Sequence, residues 1–465
     1  MYSHKGAVEM PQFRDPIHGF IFVSEAEQKI VDSKPFQRLR NIRQLATTYL
    51  VYHGAEHTRF GHSIGVMHLV TRAFNSVVSK TSNLFRADSQ ENEAVTMWYR
   101  QILRLMALTH DLGHAPFSHA AEEDLFSKNL KHEDYTKKII EETEITQYIT
   151  EIGAELHKTL AEKLQVTTEE LVAKYRIWPI TPQLIWMIYG EKPRVNDEKY
   201  IWPDFVFLKS FMDSELDCDK MDYLLRDSLY CGVTYGKYDL DRFVSTLTAY
   251  KNESENILSL AISSSGIQAF EEFVLARYFM FIQVYFHKTR RYFDKLLSES
   301  LKEILPNGKL PQDTKEYIDW DDVRVISEMR QTQKPHVKQY LERRGMTCIY
   351  ETLAHAKKGE MMLARSLQDN VKTQFPNTQF YLDEVDKRAH KLLPTAYPLE
   401  DDSGGEVKVV DKHTGETKNV MECSLILPGI MEKIYICRIY TQGNNIEDIK
   451  SYINRKCLEY SKRSR

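Results

Sequence analysis

Residues 102–119 read ILRLMALTHDLGHAPFSH, an apolar run that ends in a histidine and an aspartate, His110 and Asp111. Burying either polar group without a partner is costly, so a compensating group is expected. A divalent metal ion is the simplest one, because imidazole nitrogen and carboxylate oxygen both bind first-row metals. Such a pair alone often marks only a hydrogen bond, but His114 and His119 follow closely. The stretch therefore indicates a site.

Further metal ligands are expected upstream and downstream of this pair. His62 opens a segment whose apolar residues recur at helical spacing, namely Ile64, Met67, Val70, Phe74 and Val77. The acidic stretch 213–227 also predicts a helix, on which Asp219, Tyr223 and Asp227 share one face because they are four residues apart. An ordinary solvated acidic helix is the alternative interpretation of this stretch.

Composition limits the class of ligand. The 465 residues allow two or three domains, or one large helical domain with an appendage. The net charge of −4 gives no bulk attraction to nucleic acid, which we do not expect as the main ligand. Local basic clusters suit either a solvated face or a small phosphate-rich ligand; they are Arg38, Arg40 and Arg43, and Lys288, Arg290 and Arg291.

The sequence predicts a cytoplasmic protein without a membrane span. Its six cysteines lack CxxC spacing, which is typical of free thiols in a reducing compartment. No secretory signal pattern opens the chain, and no apolar stretch reaches about 18 residues.

Hydrophobic periodicity predicts a mainly α fold with a smaller α+β C-terminal lobe. Helices are expected near 25–45, 62–80, 97–112, 118–129, 133–160, 215–230 and 266–303. Gly113 and Pro116 are expected to end one helix and begin the next. Beyond about 325 we expect a helix at 350–366, a loop at 401–405, a hairpin around 407–423, a strand at 431–440 and a closing helix at 446–460. We therefore divide the chain into residues 1–325 and 326–465.

Four motifs resemble those of the HD-superfamily deoxynucleoside triphosphate triphosphohydrolases. They are DPIHG at 15–19, FQRLR at 36–40, HDLGH at 110–114 and DKMDY at 219–223, and the similarity extends to about residue 288. The resemblance implies an HD-type helical catalytic core. It also implies the shorter bacterial type, without a preceding sterile-alpha-motif domain.

In that family, water attacks the α-phosphorus of a dNTP and releases a deoxynucleoside and triphosphate. The resemblance implies one divalent metal ion at four ligands: His62, His110, Asp111 and Asp219. Such a set suits iron, zinc, manganese or nickel, and magnesium can accompany the triphosphate. The family's acid pair corresponds to His132 and Glu133, and His114 to a third active-site imidazole.

The substrate-binding positions also carry over from the resemblance. Cations that would neutralise the polyphosphate are Arg59, Lys220, Arg277 and Lys288. Tyr223 and Leu45 would pack on the deoxyribose, Gln44 and Asp227 would bind its 3′-hydroxyl, and His119 would face the base. Phe286 stands where the animal enzyme has a glutamine near the base, which leaves base preference open.

A regulatory site is implied as well. Asp32, Gln37 and Arg40 coincide with the family's guanine-nucleotide activator site, which lies between subunits, and activator binding there favours a homotetramer. The alternative is an ordinary helix surface.

Two other functions stay open at this stage. One is an HD phosphohydrolase that acts on another nucleotide, such as a monophosphate, a cyclic dinucleotide or a guanosine alarmone. The other is a nucleotide-sensing module that has lost catalysis. The substrate-facing matches argue against the first, and the complete set of ligands and acids argues against the second.

Overall fold

The computed structural model describes residues 10–81, 83–120, 122–127, 130–190, 203–252, 257–388, 390, 392, 406–430 and 432–463. The loop predicted at 401–405 lies outside them. Among the described residues, no helix combines the length and the apolar character that a membrane crossing requires.

Helices dominate the structure. They are α1 (Glu25–Asp32), α2 (Lys34–Arg38), α3 (Arg59–Val78), α4 (Ser89–Thr109), α5 (Glu122–Leu125), α6 (His132–Glu142), α7 (Ile145–Leu164), α8 (Thr168–Tyr175), α9 (Pro182–Tyr189), α10 (Pro203–Ser210), α11 (Cys218–Cys231), α12 (Leu240–Thr246), α13 (Ile267–Met280), α14 (Lys288–Ile304), α15 (Thr314–Ile318), α16 (Asp322–Arg330), α17 (Pro335–Leu341), α18 (Lys358–Gln374), α19 (Val420–Cys423) and α20 (Ile446–Arg463).

The strands form three small sheets. They are β1 (Gln12–Asp15), β2 (Gly19–Phe22), β3 (Leu247–Asn252), β4 (Ile257–Ser263), β5 (Thr347–Glu351), β6 (Phe380–Lys387), β7 (Lys408–Val410), β8 (Thr417–Asn419) and β9 (Ile434–Thr441). β1 and β2 pair as a hairpin, β3-β4-β7-β8 form the second sheet and β5-β9-β6 the third. The mainly helical fold with a smaller, sheet-containing C-terminal region is therefore confirmed.

Three helices that pack together position the site: α3, α4 and α11. The N-terminus of α4 is capped by Asp88, whose side chain accepts from the N–H groups of Gln90 and Glu91. Asp217 caps α11 in the same way, and the helix ends at Gly232, whose φ of 69° suits glycine. α3 carries a nearly continuous apolar surface from Ile64 to Val77, since it is covered on both sides by α4 and α11.

Several predicted elements are shorter than expected or missing. The helix predicted at 118–129 is a 3₁₀ turn followed by the four-residue α5, and the helix predicted at 25–45 ends at Arg38. The helix predicted at 133–160 is broken between α6 and α7, and that at 266–303 is interrupted by a π-helical turn. The strands β1 to β5 were not predicted, because strands of four to seven residues are too short to show a clear alternation of apolar and polar residues.

The bend after His110 also differs from the prediction. Gly113 does not take a positive φ, and Pro116 does not begin a helix. A Cβ atom at Gly113 would lie 2.0 Å from the carbonyl oxygen of His132 and 2.2 Å from the backbone nitrogen of Thr136. Glycine is therefore required here because α6 lies directly against the backbone.

Candidate metal centre and its surroundings

Four predicted ligands meet where α3, α4 and α11 converge. The Nε2 atom of His62 lies 2.9 Å from Oδ1 of Asp219 and 3.7 Å from Oδ2 of Asp111. The Nε2 atom of His110 lies 3.3 Å from Oδ1 of Asp111 and 3.9 Å from Oδ1 of Asp219. The side chain of Asp219 is 35% exposed whereas that of His62 is fully buried, so the cluster opens to solvent on the Asp219 side.

The hydrogen bonds of the two imidazoles fix which nitrogen is free. His62 donates from Nδ1 to Oδ2 of Asp222 at 2.8 Å, and His110 donates from Nδ1 to the carbonyl oxygen of Ala107 at 2.7 Å. Both Nε2 atoms are buried and, within the described part of the chain, have no hydrogen-bond partner. Two free nitrogen lone pairs facing carboxylate oxygens fit a divalent cation bound between them.

The electrostatics of this cluster also favour a cation. Burial alone would raise the pKa of Asp219, but the imidazole of His62, whose Nε2 atom lies 2.9 Å from Oδ1 of Asp219, lowers that pKa to about 2. Burial would lower the pKa of His62, yet Asp219 and Asp222 outweigh it and raise that pKa to about 10. The site is therefore strongly negative, and it is balanced either by a proton on His62 or by a metal ion.

Asp222 lies behind His62 at the centre of a buried ion network. Its two oxygens accept from Nε and Nη2 of Arg226, at 2.7 and 2.9 Å, and Oδ1 also lies 2.7 Å from Nε2 of His18. Arg226 in turn donates to Asp15 at 2.9 Å. A Cβ atom at Gly65 would lie 2.2 Å from Oδ1 of Asp222, so this glycine allows α3 and α11 to approach.

A second cluster adjoins the first and is centred on Glu122. Its carboxylate lies 2.8 Å from Nδ1 of His114, 2.9 Å from Nδ1 of His119 and 3.0 Å from Nδ1 of His132. The rings of His114 and His132 stack with their centroids 4.0 Å apart. Nε2 of His132 lies 3.5 Å from Oε1 of Glu133, so the predicted partner is present but Glu122 is closer.

His114 and His132 differ in protonation. Burial, together with the charges of Arg59 and His132, lowers the pKa of His114 to about 3, so that ring is neutral at pH 7. Burial would also lower the pKa of His132, but the hydrogen bond that its Nδ1–H donates to Glu122 outweighs burial and raises that pKa. The neutral His114 connects the two clusters, since its Nε2 atom lies 3.2 Å from Oδ1 of Asp111.

Three of the predicted phosphate-binding cations lie near these clusters, two of them buried and the third, Lys220, partly buried. Arg59 donates from Nη1 to Oδ2 of Asp111 at 2.7 Å. Lys220 contacts Asp217, which lies two residues before Asp219 on the chain. Arg277 donates from Nη1 to Glu215 at 3.0 Å, and interaction with Tyr223 contributes to raising its pKa.

The two residues predicted to bind the 3′-hydroxyl, Gln44 and Asp227, both contact His57. Asp227 accepts from Nε2 of His57 at 2.8 Å, and the backbone N–H of Gln44 donates to the carbonyl oxygen of His57 at 3.0 Å. The second oxygen of Asp227 accepts from the Tyr285 hydroxyl at 2.8 Å. Oε1 of Gln44 is buried and has no hydrogen-bond partner among the described residues, and the neighbouring Leu45 is buried. This group therefore has an unused acceptor for a ligand hydroxyl.

Two predicted residues face the C-terminal region. Lys288 is half exposed, and its Nζ atom lies 3.5 Å from Oε2 of Glu351. Phe286 is buried in a small apolar cluster with Val385, Ile434 and Ile436, at the end of the π-helical turn Phe281–Tyr285. Phe286 thus fastens this turn to β6 and β9.

The predicted activator residues lie together at the protein surface. Gln37 donates from Nε2 to the carbonyl oxygen of Val31 at 2.7 Å, beside Asp32, and Arg40 donates from Nε to Oε1 of Gln37 at 2.8 Å. The Arg40 guanidinium also stacks on the Phe60 ring, 3.5 Å from its centroid. Asp32 and Arg40 are exposed, so their charged groups are available to a ligand or a subunit.

Sequence reasoning missed four residues that organise the site: Glu122, Asp222, His57 and Tyr285. Glu122 is three residues after His119, which is a helical spacing that could have indicated a shared surface. Asp222 stood within the stretch whose alternative was a solvated acidic helix; its side chain is in fact fully buried.

The comparisons with known proteins agree with this geometry. Residues 59–176 match the family described as HD domain, and residues 238–372 match that described as HD associated region. The Bacillus subtilis protein YwfO is 33% identical over 302 residues, which are 64% of this chain and 57% of YwfO. Deoxynucleoside triphosphate triphosphohydrolase SAMHD1 of Danio rerio is 32% identical over 241 residues, 50% of this chain and 36% of that enzyme. The chain thus covers less than two thirds of either relative.

A solved structure supports the fold as a whole. A hypothetical protein from Aquifex aeolicus is 29% identical, covers 95% of this chain and 99% of its own, and superposes with a TM-score of 0.71. Residues 59–176 are thus similar to an HD domain and residues 238–372 to an HD-associated region, and three of the four candidate ligands, His62, His110 and Asp111, lie within the first range.

Proposed function

We propose that this protein is a metal-dependent phosphohydrolase that cleaves dNTPs at the α-phosphate, giving a deoxynucleoside and triphosphate. One observation carries the proposal: a two-histidine, two-aspartate cluster lies directly beside a separate histidine–glutamate cluster, with His114 in contact with both. Phosphate ester hydrolysis needs both parts, since one activates the phosphate and the other protonates the leaving oxygen. The similarity to deoxynucleoside triphosphate triphosphohydrolase SAMHD1 of Danio rerio supports dNTPs as the substrate class.

The metal would be held by His62, His110, Asp111 and Asp219, whose donor atoms face one another. A divalent ion there would polarise a phosphate oxygen and lower the pKa of bound water. Mixed nitrogen and oxygen ligation suits iron, zinc, manganese or nickel, while magnesium could accompany the triphosphate.

His132 would donate the proton to the departing 5′ oxygen. Its raised pKa favours the protonated ring, and Glu122 orients that ring through Nδ1 while Glu133 lies near Nε2. The neutral His114 would serve as a hydrogen-bonding group near the phosphate and not as a cation.

The remaining residues would bind substrate. The buried Arg59 and Arg277 and the partly buried Lys220 are cations whose charges would offset the polyphosphate, and Lys288 would extend this set. Tyr223 and Leu45 would pack on the deoxyribose. Gln44 and Asp227 would bind the 3′-hydroxyl, for which Oε1 of Gln44 is an acceptor without a partner among the described residues. The exposed His119 would face the base.

We also propose that a guanine nucleotide activates the enzyme at Asp32, Gln37 and Arg40 and favours a homotetramer. These three residues offer an acceptor, an amide and a guanidinium on one surface, a set that suits the guanine edge. Residues 1–325 would form the catalytic domain and residues 326–465 the C-terminal lobe of a cytoplasmic enzyme.

Product analysis tests the proposal. Purified protein is incubated separately with each dNTP, a nucleoside monophosphate and a cyclic dinucleotide, with either Mg²⁺ or Mn²⁺, and nucleoside, triphosphate, pyrophosphate and phosphate are separated by ion-exchange chromatography. We expect deoxynucleoside and triphosphate from the wild type and none from Asp111→Ala, which controls for contaminating phosphatases. Hydrolysis of only a monophosphate or a cyclic dinucleotide would reject the substrate class, and the absence of any turnover would reject catalysis.

A further inference from the structure

The HD-associated region contacts the backbone that follows the His110–Asp111 pair. We call residues 112–118 the HD loop; the contacts come from residues 317–322. The Tyr317 hydroxyl donates to the carbonyl oxygen of Gly113 at 2.6 Å. Arg38 donates to the carbonyl oxygens of Trp320, Leu112 and His114, at 2.9, 3.2 and 2.8 Å. The loop's buried carbonyl groups are thus satisfied from outside the HD motif.

The end of the HD loop is strained. Phe117 and Ser118 are consecutive non-glycine residues in the left-handed region, with φ of 59° and 54°. Such a conformation is unfavourable for L-residues and persists only where surrounding contacts enforce it. The contact that enforces it here comes from α16.

That contact is the side chain of Asp322, which is 2% exposed. Its Oδ1 atom accepts from the backbone N–H of Phe117 at 2.7 Å, and its Oδ2 atom accepts from the backbone N–H of Arg43 at 3.0 Å. Burial raises the pKa of Asp322 to about 6, which still leaves a carboxylate at pH 7. Each oxygen therefore holds a different segment of backbone.

The turn held by Asp322 leads to the candidate metal ligands through Ser118. The Ser118 hydroxyl donates to the carbonyl oxygen of Arg43 at 2.6 Å and accepts from Nε of Arg59 at 2.8 Å. Arg59 then donates to Oδ2 of Asp111. Three hydrogen bonds and the Phe117–Ser118 peptide bond thus connect α16 to a candidate metal ligand.

We propose that Asp322 is a positioning residue, which holds the Phe117–Ser118 turn so that Ser118 aims Arg59 at Asp111 and at the substrate phosphate. Its effect on turnover rests on the proposed function, whereas its effect on the HD loop does not. The HD-associated region would in this way be part of the catalytic unit.

The test compares two neighbouring aspartates. Asp322→Asn replaces one acceptor oxygen by an amide that faces a backbone N–H. Asp321→Asn is the matched control, because Asp321 caps α16 and contacts Asn41 but not the HD loop, and asparagine caps a helix as well as aspartate does. For Asp322→Asn we expect kcat for dGTP with Mn²⁺ to fall about tenfold to a hundredfold, with a smaller change in KM. Amide hydrogen exchange in peptides covering residues 110–120 should rise about tenfold. Asp321→Asn should change neither.

If Asp322→Asn has the same amide hydrogen exchange and the same kcat as the wild type, the inference is wrong. If the wild type hydrolyses no dNTP, the proposed function fails, and the exchange measurement alone decides the role of Asp322. Ser118→Ala provides a second test should Asp322→Asn not fold, because it removes only a hydroxyl. A fall in kcat with metal content retained supports the inference, and an unchanged kcat overturns it.

Discussion

At the scale of single residues, the hydrogen bond that each imidazole donates from Nδ1 leaves its Nε2 atom able to bind a metal ion. Asp222 takes the Nδ1 proton of His62 and so leaves Nε2 as a ligand. The same carboxylate is held by Arg226 on both oxygens, which keeps it ionised. Asp222 is therefore part of the candidate metal centre, because it fixes the orientation and the tautomer of the ligand His62.

We predict that Asp222→Asn weakens metal binding about tenfold to a hundredfold, the usual cost of removing such a support. An amide is uncharged and can orient its NH₂ group toward His62, which would favour the wrong tautomer. Competition titration of Mn²⁺ against a fluorescent chelator measures the effect. An unchanged affinity would show that His62 does not need this support.

A second prediction concerns proton transfer by His132. His132→Ala should retain metal and lower kcat by about two to four orders of magnitude, the range typical of a general acid. Because the pKa of His132 is raised above 6.5 by Glu122, the protonated acid is present below the raised pKa and is lost as pH rises through it. Glu122→Gln should lower that pKa and move the alkaline limb of the kcat profile to lower pH. If the alkaline limb does not move in Glu122→Gln, the pKa that it reports belongs to a group other than His132.

At the scale of elements, the close packing of α6 on the HD loop determines where His132 lies. Gly113→Ala would place a methyl group against backbone atoms that cannot turn away. We predict a loss of about 1–3 kcal/mol in the free energy of unfolding, measured by urea denaturation, together with a lower kcat. Gly429→Ala is the control, since its Cβ would have no atom within 4 Å. Equal stability of the two variants would contradict the packing argument.

How well the sequence predicts an element depends on whether that element is stabilised by residues near it in the sequence or by residues far from it. The periodicity of α3, α4 and α20 is local, so these helices are visible in the sequence. Glu122 escapes such reasoning because its role arises from three histidines that only the folded chain brings together. β4 pairs in parallel with β7, nearly 150 residues later, a pairing that no local pattern encodes. That pairing joins residues on both sides of position 325, so the domain division stays a prediction.

At the scale of the whole molecule, regulation is the prediction that reaches furthest. A guanine nucleotide should raise activity and shift the protein toward a tetramer, and Arg40→Ala should abolish both responses while metal binding is retained. Arg455→Ala is the control, because Arg455 is another exposed arginine that lies over an aromatic ring. Sedimentation velocity with and without GTP, run beside activity assays, measures both effects. If neither the sedimenting mass of the protein nor its rate of dNTP hydrolysis changes with GTP or dGTP, the activator proposal is wrong and only the catalytic proposal remains.

The position of water attack tests the central claim most directly. Hydrolysis of dGTP in H₂¹⁸O, followed by ³¹P NMR, shows which phosphorus receives the oxygen. We expect inorganic triphosphate carrying one ¹⁸O on a terminal phosphorus, and deoxyguanosine without label, because attack occurs at the α-phosphorus. Pyrophosphate with deoxyguanosine monophosphate, or orthophosphate with the diphosphate, would place the cleavage elsewhere and contradict the account.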